Sequence, residues 1–149
     1  MVSALAVNEP VRATGLRILV VEDHALTAEA TATLLRLSGH EVRVAPDGAS
    51  ALRAAQAEPP DVVLLDLGLP GLDGYEVASR LRQRQTAPRP LLIAVTGHGR
   101  KAECVRSYEA GIDLHLTKPV SVDELEHFLG RYQAVKTPPA RPPRSGEPG

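Results

Sequence analysis

Residues 62–66 read Val62-Val63-Leu64-Leu65-Asp66, four apolar side chains closed by a carboxylate. Four apolar residues in a row are too few for a helix and lack the alternation of a strand with one wet face. They fit a strand buried on both sides. Outward from it, Ile18–Val21 and Leu91–Val95 have the same character. Two further segments, Glu41-Val42-Arg43-Val44 and Leu114-His115-Leu116-Thr117, alternate apolar with polar residues as half-exposed strands do.

Helical stretches fall between and after these strands, at about 25–38, 48–57, 74–84, 101–110 and 122–132. The last opens on Ser121-Val122-Asp123-Glu124, a capping-box pattern, and Gly39 and Gly111 stand where helix C-caps fall. Five βα units in succession imply a parallel sheet with helices on both faces. The two alternating strands belong at the edges and the three continuous ones inside. The doubly wound order 2-1-3-4-5 meets that requirement, although patterning alone allows others.

The 149 residues suit one domain, expected over 16–132 between a tail at 1–15 and a Pro/Arg-rich tail at 133–149. A net charge of -1 gives no basic footprint for nucleic acid or anionic lipid, so neither is expected as a partner. No apolar run approaches the roughly 20 residues of a membrane span, and residues 1–14 do not read as a secretory signal. The single cysteine, Cys104, excludes an internal disulfide and suits a cytoplasmic setting.

In such a sheet, ligands bind beyond the carboxyl ends of the strands, where the strand order reverses. The first strand runs into Glu22-Asp23, the third ends on Asp66, the fourth on Thr96 and the fifth runs into Lys118. Three carboxylates, a hydroxyl and an amine thus reach one rim. Like charges 4 Å apart cost roughly 4 kcal/mol at an effective dielectric near 20. Raised pKa values, a bound cation or both must offset this repulsion. An all-oxygen site with few protein ligands suits Mg²⁺, which commonly bridges carboxylates to phosphate oxygens.

The segments Val20-Val21-Glu22-Asp23-His24, Leu64-Leu65-Asp66-Leu67-Gly68 through Gly74, Ala94-Val95-Thr96-Gly97 and Leu116-Thr117-Lys118-Pro119 resemble the response regulator receiver family across essentially all of 16–132. The resemblance implies a flavodoxin-like (βα)5 domain phosphorylated on Asp66 by a sensor histidine kinase or phosphotransfer protein. It implies that Glu22, Asp23, Asp66 and the Gly68 carbonyl hold Mg²⁺. Lys118 is then the phosphoryl contact, and the Lys118–Pro119 bond is cis. The switch runs through Thr96 and a strand-five residue, here His115, where many relatives carry Tyr or Phe. His98 occupies a position that modulates dephosphorylation in the family.

Taken singly, these residues have bland readings. Glu22-Asp23 could favour a helix dipole, Lys118 could be a solvated lysine, and His40 and His127 read as surface residues. Only the joint placement at strand ends selects the functional reading. The 17 residues after 132 are too few for an output module. A single-domain response regulator is therefore expected, or as a variant a receiver from a hybrid histidine kinase, in either case a phosphoacceptor switch with self-catalysed phosphorylation and dephosphorylation rather than an enzyme. It would signal through the helix at 101–110, the fifth strand and the helix at 122–132, or relay the phosphoryl group. The alternatives are an aspartyl-phosphate phosphatase, whose nucleophile should instead follow the first strand, and a phosphorylation-independent scaffold.

Overall fold

A computed structural model describes residues 15–69, 71, 73–83, 89–97 and 109–136. His98, Cys104, most of the stretch at 101–110 and the segments 1–14 and 137–149 lie outside the described residues. The chain runs β1 (Arg17–Val21), α1 (Ala25–Leu37), β2 (Glu41–Ala45), α2 (Gly48–Ala57), β3 (Val62–Asp66), α3 (Gly74–Gln83), β4 (Leu91–Thr96), β5 (Leu114–Thr117) and α4 (Val122–Lys136). All four strand pairings are parallel and the order is β2-β1-β3-β4-β5. This is the doubly wound order that met the patterning, and the flavodoxin-like arrangement that the family resemblance implied.

Successive strand residues point to opposite faces of a sheet. Ile18 and Val20 of β1 pack with Leu35 of α1 and with Leu125 and Leu129 of α4. Leu19 and Val21 pack on the other face with Leu52 of α2 and Val77 and Leu81 of α3. Both faces are therefore dry, which is why β1, β3 and β4 read as unbroken apolar runs. Every residue of β3 and β4 is buried, whereas β2 and β5 each expose one residue and half-bury two. Burying a Val, Leu or Ile side chain contributes roughly 1.5–3 kcal/mol, so these two layers dominate the fold's stability.

Gly39 and Gly111 take positive φ values of 97° and 91°, which lets the chain turn into the next segment without a Cβ clash. Ser121 Oγ accepts from the Glu124 amide at 3.2 Å and starts α4. That helix runs to Lys136, past the expected end at 132. Leu125, Phe128, Leu129 and Tyr132 form one apolar face against the core. No helix among the described residues is long and apolar enough to cross a membrane.

His40 departs from its surface reading. It is buried, with Nδ1 accepting from the Leu16 amide at 3.3 Å and Nε2 lying 3.2 Å from Glu126 Oε1. An imidazole with partners for both nitrogens tolerates burial that an unpaired one would not. It ties the entry to the sheet to α4.

Candidate functional site

Each interior strand ends at the same edge, and the first residues beyond it are polar. The Glu22 amide donates to the Ala45 carbonyl at 3.0 Å, the last rung between β1 and β2. Its carboxylate is buried, while Asp23 is exposed. The Glu22 Oε2 atom accepts from the His24 amide at 3.0 Å. Asp66 closes β3 and is only 4% exposed. Its Oδ1 accepts from the Gly68 amide at 2.8 Å, and its Oδ2 accepts from Lys118 Nζ at 3.0 Å.

Lys118 is carried to Asp66 by the fifth strand. Its amide donates to the Thr96 carbonyl at 2.8 Å, and its peptide bond to Pro119 is cis. Thr96 is buried at the end of β4, in register with Thr117. His115 lies half-buried on β5 beside Ala94. The structure thus brings Glu22, Asp23, Asp66 and Lys118 together, with Thr96 joined through the backbone and Gly68 through its amide.

One oxygen from each of Glu22, Asp23 and Asp66 lies within 4.8 Å of the others. Burial pushes the Glu22 carboxyl up, and the neighbouring Asp66 charge adds to this against the His24 amide and Lys118. Burial alone would push the Lys118 ammonium down, but the Asp66 hydrogen bond and the charges of Asp66, Glu22 and Asp23 together hold it above its ordinary value. Among the described residues, a set of hard oxygen donors facing the Lys118 ammonium leaves excess negative charge. It fits a small divalent cation that keeps part of its water shell, as Mg²⁺ does. Three carboxylates and an ammonium can therefore hold a hydrated cation and receive an anionic group beside it.

A cleft of about 840 Å3 opens from this rim along α1, lined by His24, Thr27, Leu34, Asp66, Pro119 and Val120 among others. Leu26 and Leu37 on the same helix are each 79% exposed. Sequence reasoning gave His24 no role, yet its side chain caps α1 by accepting from the Thr27 amide. Histidine is not among the preferred capping residues, so only its position just before the helix could have signalled it.

Fold and site define a doubly wound α/β domain with an acidic, lysine-bearing rim at the point where its strand order reverses. Residues 18–129 match the response regulator receiver domain, and the chain belongs to that family. Its relatives include the transcriptional regulatory protein KdpE of Mycobacterium tuberculosis, 43% identical over 79% of this chain and 50% of KdpE. TcrA of the same organism, also a transcriptional regulatory protein, is 40% identical over 89% of this chain and 51% of its own length. The chain thus spans about half the length of these curated relatives.

Among solved structures, a CheY-like receiver domain from Methanospirillum hungatei superposes with a TM-score of 0.75 at 27% identity, covering 83% of this chain and 97% of that one. The receiver domain of the sensor histidine kinase PA1611 from Pseudomonas aeruginosa has a magnesium ion coordinated in its active-site cleft. It gives a TM-score of 0.72 at 32% identity, over 80% of this chain and 98% of its own. This chain is accordingly a receiver domain of the two-component response regulator family.

Proposed function

We propose that Asp66 is the phosphoacceptor. One of its carboxylate oxygens attacks the phosphorus of a donor phosphohistidine or small acyl phosphate. A P–O bond to Asp66 forms, the donor's P–N or P–O bond breaks, and the leaving group departs with the bonding electrons. Glu22, Asp23 and Asp66, with the Gly68 carbonyl, hold Mg²⁺. When bound, the cation screens the negative charge gathered between acceptor and phosphoryl oxygens. Lys118 supplies the second positive charge, and its 3.0 Å contact with Asp66 is the observation that carries this reading. Phosphorylation and dephosphorylation run on these residues without another catalyst.

Thr96 hydrogen-bonds the incoming phosphoryl group, and His115 on β5 follows it. The change is read on the side of the domain that carries β5 and α4. The phosphoryl donor is a sensor histidine kinase or phosphotransfer protein. The cleft along α1 is its approach, supported by Leu34, which lines the cleft and is 46% exposed. The cytoplasm is the expected setting, because such donors draw on ATP. In the simplest case the receiver acts alone or relays the group. The transcriptional names and doubled length of KdpE and TcrA favour a second reading, a receiver governing a transcriptional output, with nucleic acid contacted by another part of the protein.

Incubation with acetyl phosphate and Mg²⁺, followed by intact mass, tests the core of this proposal. Wild-type chain gains one labile phosphoryl group, and Asp66→Asn gains none. Equal labelling of the Asn variant would remove Asp66 from the role. A wild-type chain that takes no label and does not respond to beryllofluoride would leave the scaffold reading in its place.

A further inference from the structure

We propose that His24 is a positioning residue for the Glu22 carboxylate, so that its side chain sets how tightly the rim binds its cation. The inference rests on the reading of Glu22, Asp23 and Asp66 as the Mg²⁺ site. His24 is at the junction of two hydrogen-bonded arrangements. Its Nδ1 accepts from the Thr27 amide at 3.3 Å and lies 2.8 Å from Thr27 Oγ1. This side-chain anchor fixes the backbone of residue 24 in an extended conformation, φ −83° and ψ 106°. In that conformation the His24 amide donates to Glu22 Oε2 at 3.0 Å.

Glu22 needs the hold. It is buried and shares the rim with two other carboxylates. The His24 amide steadies the Glu22 carboxylate, which would then be held ready for a cation. Without the anchor, residue 24 regains conformational freedom and the Thr27 amide loses its partner. The Glu22 carboxylate is then no longer held ready, and binding must supply the ordering. A helix cap without this second link affects stability alone. Asp47 provides that comparison, because it caps α2 through the Ser50 amide at 2.7 Å and belongs neither to the carboxylate cluster nor to the cleft lining.

Titration of the full chain with Mg²⁺ alone, followed by calorimetry and amide chemical shifts, separates the two. His24→Ala is expected to weaken Mg²⁺ roughly threefold to tenfold, about what loss of one cap amounts to. His24→Asn, whose Oδ1 takes the place of Nδ1, restores affinity to within about twofold. Asp47→Ala lowers stability and leaves the affinity unchanged. His24→Gly, which costs a helix start little, keeps the fold and still weakens Mg²⁺, so the test survives an unstable alanine variant. Undiminished affinity in the Ala and Gly variants, or an Asn variant as weak as Ala, would overturn the positioning role. A wild-type chain that binds no Mg²⁺ would overturn the reading of the rim and this inference with it.

Discussion

Asp47 and His24 begin two helices with different chemistry. The Asp47 carboxylate accepts from the Ser50 amide, and that hydrogen bond holds it below the ordinary aspartate range. A carboxyl depressed by folding stabilises the native state above its unfolded pKa, and the contribution is lost as pH falls through the lower folded value. Below about pH 4 the wild-type chain should therefore lose stability relative to Asp47→Asn, which keeps a cap but does not titrate. Denaturant midpoints of the two chains, measured from pH 7 to 3, check this; a constant difference across that range would refute it. At this scale the residue types of the site were legible, because Glu22, Asp23, Asp66, Thr96 and Lys118 each close or follow a strand. The hold on Glu22 was not legible. It comes from a backbone amide, which every residue but proline carries, so no residue type marks it.

Helix α1 shows how one element serves two surfaces. Leu35 is fully buried against β1 and α4, whereas Leu37, two positions on, is 79% exposed. Leu35→Ala should cost about 2–5 kcal/mol by leaving a cavity. Leu37→Ala should stay within about 0.5 kcal/mol, as surface changes usually do. Urea unfolding of the two variants checks the contrast, and comparable losses would mean that the outer leucine is covered. The helical stretches at 25–38 and 48–57 were read nearly to their ends because their apolar spacing is local. The end of α4 was set at 132, four residues short of Lys136, because, among the described side chains, residues 133–136 add no apolar one to the core face that the spacing follows.

Across the whole molecule, polar ties close the amino edge of the sheet as the site occupies its carboxyl edge. Arg82 at the end of α3 donates to the Gly111 carbonyl at 2.8 Å, the Pro90 carbonyl at 2.7 Å and Asp113 Oδ2 at 2.6 Å. The same Asp113 oxygen accepts the Leu92 amide at 2.9 Å, so one cluster joins α3, β4 and the approach to β5. Arg82→Ala should destabilise the chain by about 1–3 kcal/mol, since two carbonyls lose this donor and Asp113, which keeps the Leu92 amide and Arg89, loses its shortest tie. Phosphorylation by acetyl phosphate should persist in whatever fraction remains folded. Thermal unfolding with parallel labelling reads both quantities, and an unchanged midpoint would show that Asp113 is satisfied without Arg82.

The sequence alone determined the five strands, which of them lie at the edges, and the acids and lysine that follow the strand ends; the order among those that patterning allows was decided by the packed sheet. Burial on one or two faces imprints a short-range period, and a parallel sheet then delivers every strand end to the same edge. Tertiary structure alone decided that His40 meets Glu126 across 86 residues and Arg82 meets Asp113 across 31. It also decided which leucines of α1 remain outside. Periodicity states only that a side chain is inside. Which partner a buried polar atom finds depends on distances between segments far apart in the chain, and those exist only once the layers have packed.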